Sequence, residues 1–213
     1  MKLISVNVGL PREVTWKGRV VTTGIFKEPI SGRAKVRRLN IEGDGQADLT
    51  VHGGAEKAVY VYPAEHYEFW RGQLPETQLN WGAFGENLTV EGLFEDQVSI
   101  GDRFRIGSAE FVVTQPRFPC YKLGVKFKRD DMVKRFLASR RTGLYLSVIV
   151  EGELGAGDSI ELLSRDDGDI TVSNIVSLHV DKNTDFDLMQ RAVQVEALAE
   201  GWKTHFLEKL AEH

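Results

Sequence analysis

The chain begins with a run of mixed apolar and polar residues, Lys2-Leu-Ile-Ser-Val-Asn-Val-Gly9, that reads as a strand with one buried face. Short runs of the same kind recur. Arg19–Thr23 and, after Gly24, Ile25–Phe26 are strand candidates, and Ala34–Ile41 alternates basic and apolar positions as a half-exposed strand does. Lys57–Tyr62, Leu88–Val90, Val98–Ile100, Arg103–Ile106, Ala109–Thr114, Leu144–Val150 and Gly155–Leu163 continue the series. Glycine turns separate several of them, and the pattern Gly-Asp followed by a strand occurs twice, at Gly101-Asp102 and Gly157-Asp158. Helical spacing is confined to Ala64–Leu74, entered through Pro63, and to Asp130–Arg140, where Met132, Val133, Phe136 and Leu137 share a face. Many short strands, few helices and no alternation of strand and helix predict a mostly β fold with helices, closed as a mixed or antiparallel β-barrel.

The pattern changes after the polar linker Ser164–Asp169. Thr171–Asp181, Asp185–Val193 and Glu196–Glu212 predict three helices, with Thr171 and either Thr184 or Asp185 as N-caps. The expected organisation is a β-barrel domain over 1–164 and a three-helix domain over 170–213. The second unit is near the lower size limit for independent stability, so it should dock on the barrel or on a second copy in a homodimer. Trp202, Phe206, Leu207 and Leu210 form its apolar stripe.

Composition narrows the functional classes. The 213 residues are 42% hydrophobic and 27% charged, which suits a globular protein with a large core. No apolar run is long enough to span a bilayer, the N-terminus lacks the apolar core of a signal peptide, and one cysteine cannot form an internal disulfide. Together these point to a cytoplasmic protein with no membrane partner. A net charge of −4 gives no general attraction for nucleic acid. In the tail, Arg191, Lys203 and Lys209 are outnumbered by Glu196, Glu200, Glu208 and Glu212, which argues against a phosphate-binding face there.

The chemistry concentrates in Thr114–Lys122, Thr-Gln-Pro-Arg-Phe-Pro-Cys-Tyr-Lys. Prolines end the strand and stiffen a loop that presents the single thiol, Cys120, near Arg117. A neighbouring cation favours the thiolate, the form that acts as nucleophile and as metal ligand, although an isolated cysteine also serves as a small buried apolar residue. Glu42–Gly54 is rich in glycine and acid and carries His52, so its backbone can approach a ligand closely or simply turn a barrel corner. Gly53-Gly54 followed by Lys57 resembles an anion-cradling loop but lacks phosphate-loop spacing. His66 lies among aromatics, a setting more typical of packing than of ligation.

Longer motifs carry a family resemblance. Gly43-Asp44-Gly45-Gln46-Ala47-Asp48 through Val51-His52-Gly53-Gly54, Lys57-Ala58-Val59-Tyr60 with Tyr62-Pro63, Phe84–Val90, and Thr114-Gln115-Pro116-Arg117 with Pro119-Cys120 and Lys122-Leu123 resemble the MOSC-domain family, the molybdenum cofactor sulfurase C-terminal domain, in its bacterial YiiM type. The last three helices resemble the 3-alpha domain of that subgroup. The resemblance implies a MOSC-type β-barrel that binds the molybdenum cofactor through its molybdopterin, with Cys120 as the Mo ligand. It also implies reduction of N-hydroxylated compounds, hydroxylaminopurine-type bases among them, with electrons from a separate reductase, because no flavin or dinucleotide fingerprint is present. A soft thiolate suits such a metal, and one protein sulfur suffices where the dithiolene brings two more. Arg12, Lys27, Asp44, Gly53, Gly54, Lys57, Asn87, Arg117 and Lys122 are the expected cofactor-binding residues. His52 is favoured over Asp44, Asp48 and Glu86 as the acid that protonates the departing oxygen, which makes Cys120 and His52 the expected catalytic pair. The alternative is a non-catalytic carrier of the cofactor, or of sulfur held on Cys120 as a persulfide.

Overall fold

A computed structural model describes residues 1–47, 53–183 and 185–212. Its strands are β1 (Lys2–Val8), β2 (Arg12–Trp16), β3 (Arg19–Thr23), β4 (Glu28–Pro29), β5 (Arg33–Arg37), β6 (Asn40–Ile41), β7 (Val59–Pro63), β8 (Leu88–Glu91), β9 (Arg103–Ile106), β10 (Ala109–Pro116), β11 (Leu144–Val150), β12 (Gly152–Gly155) and β13 (Ile160–Ser164). The helices are α1 (His66–Gln73), α2 (Tyr121–Phe127), α3 (Met132–Ser139), α4 (Val172–Val180), α5 (Phe186–Ala192) and α6 (Glu200–Ala211), with a 3-10 turn at Ala55–Lys57.

Eight strands form one mixed sheet in the order β13-β9-β10-β11-β7-β8-β1-β4. The pairing of β7 with β8 is parallel and the other ladders of this sheet are antiparallel. This corrects the expected barrel: the strand order is open, and among the described residues no ladder pairs β13 with β1 or β4. One edge, β4, is two residues long and includes Pro29, which has no N–H to extend a ladder. Near the other edge an isolated bridge joins Lys2 to Ser159, flanked by backbone bonds from Leu3 N–H to Asp158 at 2.9 Å and from Ile160 N–H to Met1 at 3.1 Å, but no ladder grows from it. Separate sheets, β12-β5-β6 and the β2–β3 hairpin, complete the β structure.

Strand β7 shows how one stretch of sequence organises two cores. All five of its residues are buried. Val59 and Val61 face an aliphatic core with Leu3, Val113, Leu146 and Leu154, whereas Tyr60 and Tyr62 face an aromatic core with Trp70, Phe84 and Phe136. The period of two thus sends alternate side chains into different packing environments. The repeated Gly-Asp pattern also has a common physical basis. Gly101 and Gly157 both take positive φ, and the carboxylate of the following aspartate accepts an N–H three residues upstream: Ser99 N to Asp102 at 3.0 Å and Gly155 N to Asp158 at 3.0 Å.

The tail forms the three expected helices. Thr171 caps α4 in a capping box with Asn174, and the Asp185 carboxylate accepts the Leu188 N–H at 2.9 Å, while Thr184 lies outside the described residues. Ile175, Leu178, Met189, Ala192, Leu198 and Phe206 run into the same aliphatic core as the sheet, so the helices and strands share one interior. Elsewhere, Ala34–Ile41 is broken into β5 and β6 by a tight turn, Ile25–Phe26 turns instead of pairing, and Val98–Ile100 is reduced to a single bridge, Ser99 to Thr171. Strand β2 begins at Arg12 and pairs with β3, and Lys17 and Gly18, both with positive φ, close the hairpin. Among the described residues no helix is long and apolar enough to cross a membrane.

Candidate functional site

Strand β10 ends at Pro116, and the loop that follows places Cys120 directly before α2 in extended conformation. The thiol is half-buried and free. It borders a cleft lined by both polar and apolar side chains. Lys27, Asp44, Lys57, Asn87, Arg117 and Lys122 line the same cleft, so residues between positions 27 and 122 meet at one place.

Arg117 is the most telling of them. It is 6% exposed, and its Nη1 is buried with no hydrogen-bond partner. The guanidinium carbon sits 5.3 Å from the Tyr60 ring centroid and 5.0 Å from that of Phe136, so aromatic faces rather than a carboxylate hold it. A buried donor left unmatched carries a substantial desolvation penalty, which an anionic or carbonyl acceptor in the cleft would remove.

Lys27, Asp44 and Asn87 are a different kind of feature. The Lys27 ammonium contacts both Asp44 carboxylate oxygens, with the two side chains 8% and 2% exposed. Asn87 donates to Asp44 at 2.8 Å and Gly9 N–H donates to it at 2.9 Å. The Asn87 carbonyl in turn accepts Tyr60 N–H at 3.0 Å. Burial lowers the Lys27 pKa, and Asp44 opposes that shift. The network therefore joins the turn before β4, the glycine-rich segment, the approach to β8 and β7 into one rigid wall. The glycines permit that approach: a Cβ at Gly24 would stand 2.4 Å from the Gly45 carbonyl oxygen.

The remaining expected residues separate. Arg12 stacks over Phe26 at 4.0 Å in a neighbouring cleft with Lys126, on the far side of Lys27. Gly53 and Gly54 are not among the residues lining the Cys120 cleft, and Gly54 leads into the 3-10 turn with positive φ. His52 and Asp48 lie outside the described residues. Glu86 is fully buried and accepts from Tyr67, Gly82 N–H, Phe84 N–H and Thr89, so it is spent inside the aromatic core. His66 pairs with Glu95 at 2.8 Å, away from the Cys120 cleft.

Tyr145, Tyr60 and Phe118, given no site role by the sequence, also line the cleft. Burial pushes the Tyr145 phenol up, with Arg117 pulling it down and Cys120 pushing it up. Tyr145 therefore remains a neutral hydrogen-bond donor beside the thiol. The alternation in β11 held the signal: Leu144 and Leu146 enter the aliphatic core, so Tyr145 faces the other way. Among the described residues no three His, Cys, Asp or Glu side chains gather to hold a metal ion by themselves.

An open mixed sheet with a cationic, thiol-bearing cleft and a helical tail docked on the same core defines the class, and comparison with known proteins supplies the family. The MOSC domain matches residues 48–161 and the YiiM-like 3-alpha helix domain matches residues 170–213. The chain belongs to the MOSC-domain family, in its YiiM-like branch. It is 44% identical over 209 residues to the uncharacterized protein YflK of Bacillus subtilis, covering 97% of this chain and 93% of that one. It is 37% identical over 182 residues to protein YiiM of Escherichia coli, covering 84% and 81%. A Gibberella moniliformis protein named reductase is 33% identical over 91% of this chain, which spans 35% of that longer protein. The crystal structure of YiiM from Geobacillus stearothermophilus superposes with a TM-score of 0.83 at 31% identity, covering 98% of both chains.

Proposed function

We propose that this protein is an oxidoreductase that binds the molybdenum cofactor in the Cys120 cleft and reduces N-hydroxylated compounds of the hydroxylaminopurine type. The observation that carries the proposal is the pairing, in one cleft, of a half-buried free thiol with a buried guanidinium whose Nη1 has no partner. A metallopterin presents both complements, a thiophilic metal and an anionic, acceptor-rich body, so the residues present fit the group. The relative named reductase supports the reaction class.

When bound, the cofactor would supply the two-electron chemistry that turns N–OH, with two protons, into N–H and water. The chain's own residues would do the rest. The Cys120 sulfur would act as the protein ligand to the metal. Arg117, Lys57 and Lys122 would hold the pterin and its phosphate, as cations lining the cleft. The Lys27–Asp44–Asn87 network would keep the opposite wall in place, and Tyr145 would donate from a neutral phenol. His52 remains our candidate for the proton donor. Electrons would come from a separate reductase in the cytoplasm.

Metal analysis of protein purified from a cofactor-producing host tests the reading directly. The wild-type chain should contain molybdenum and turn over hydroxylaminopurine with a chemical reductant. Cys120→Ser should fold normally and lose the metal. A serine variant that retained both molybdenum and turnover would overturn the ligand assignment. Loaded wild-type protein without turnover would point instead to a cofactor carrier.

A further inference from the structure

A second cleft, of about 980 Å³, lies between the sheet and the C-terminal helices. It shares Lys57, Phe118, Cys120 and Tyr145 with the first, so the two meet at the thiol. Its outer wall belongs to the tail: His179 from α4, and Trp202 and His205 from α6. These rings meet Phe118 of the cysteine loop in one aromatic cluster. Phe118 lies 4.6 Å from His179 and 5.0 Å from Trp202, and His179 lies 5.2 Å from Trp202. The floor is held firmly, because the Glu56 carbonyl accepts from Thr114 at 2.7 Å and Gln115 at 3.3 Å, while its carboxylate accepts the Glu200 N–H at 3.0 Å. His205 contributes an Nε2 that is buried without a hydrogen-bond partner.

We infer that this second cleft is the substrate chamber, that it takes a planar aromatic nitrogen heterocycle, and that Trp202 with Phe118 selects for it. The inference rests on the reading of the Cys120 cleft as the cofactor site, and it assigns the three-helix unit a part in recognition. Flat rings offer a heterocycle stacking area regardless of its exact substituents. An unsatisfied imidazole nitrogen is costly, and a heterocycle edge that carries both donor and acceptor atoms satisfies either tautomer. A ring in this cleft has one edge at the Cys120 wall, so its N-hydroxyl group is presented where the first cleft begins. An aliphatic hydroxylamine would lose the stacking and leave His205 unmatched.

Calorimetry on the full chain without cofactor, titrated with adenine, tests the chamber independently of any metal. Wild-type protein should bind, Trp202→Ala should weaken binding about tenfold, within the range of one stacking platform, and Trp202→Phe, which keeps a ring, should retain most of the affinity. In loaded enzyme, Trp202→Ala should raise KM for hydroxylaminopurine by a similar factor while leaving molybdenum content unchanged. Absence of adenine binding by wild-type protein, or affinity indifferent to Trp202→Ala, would overturn the chamber even if the loaded enzyme is active. Adenine binding that depends on Trp202 in a chain that never acquires molybdenum would uphold the chamber and defeat the cofactor reading.

Discussion

Replacing Lys27 with methionine removes the cation from a carboxylate that has almost no access to water. Asp44 is 2% exposed, and the donors left to it are Gly9 N–H at 2.9 Å and Asn87 Nδ2 at 2.8 Å, both neutral. Breaking a buried pair from one side typically costs about 3–5 kcal/mol, because the surviving charge stays desolvated. For a chain of this size each kcal/mol moves Tm by about 2–4 °C, so a fall of roughly 10 °C is expected. The double variant Lys27→Met, Asp44→Asn removes both charges and should recover most of that loss. Asp44→Asn alone leaves the ammonium buried. Burial already lowers the Lys27 pKa from 10.5, so the folded state of that variant sheds the proton before the unfolded chain does. Its stability should therefore rise as pH climbs toward 10.5. The assay is thermal and urea unfolding of the three variants at pH 7, with the single asparagine variant repeated across the alkaline range. A loss below about 1 kcal/mol for Lys27→Met, the value of an exposed pair, would refute the buried-network argument.

Further outcomes follow from other parts of the molecule. Lys126 is half-buried against Phe26, and desolvation brings its pKa to about 8; Lys126→Met should raise stability at pH 7 and remove the rise expected of the wild type between about pH 8 and 10, read from urea midpoints. Arg117→Ala should lower cofactor loading, measured as bound molybdenum, and unchanged loading would leave Arg117 a purely structural role. Thr171→Ala breaks the capping box of α4 and should cost about 1 kcal/mol in chemical unfolding.

The cleft was legible in the sequence where a short segment carries its own chemistry. Pro116 through Lys122 announces a stiff loop with one thiol and two cations, and Gly43 through Gly45 announces a close backbone approach. What could not be read were the pairings. Lys27 and Asp44 look like two independent ligand candidates until the turn after β3 brings them together across seventeen residues. Helix α2 was hidden by its shortness and by Gly124, a residue that weakens any helical pattern. A Cβ there would lie 2.7 Å from the Arg129 carbonyl oxygen, so the glycine serves a close crossing rather than helix propensity. The barrel expectation counted strands correctly as numerous and short, but closure depends on edge pairing, and neither the two-residue β4 nor the lone Lys2–Ser159 bridge is visible in a hydropathy pattern. The aromatic wall of Phe118, His179 and Trp202 joins positions too distant for any local periodicity to connect.

The parallel pairing of β7 with β8, the one such ladder among the described residues, has a consequence for how the chain reaches this state. Parallel neighbours cannot be joined by a hairpin, so the chain must leave the sheet through α1 and return before Asn87 can meet Tyr60, Asn7 and Asp44 across separations of 27, 80 and 43 residues. Contacts of that span close late and slowly, after the loop-closure entropy has been met. The cleft wall thus depends on contacts that only the completed fold brings together. A ligand held there binds the completed fold alone, so its binding free energy adds in full to global stability. In the cell, protein awaiting its ligand would then unfold more readily than protein that has received it, which makes ligand supply a determinant of how long each copy persists.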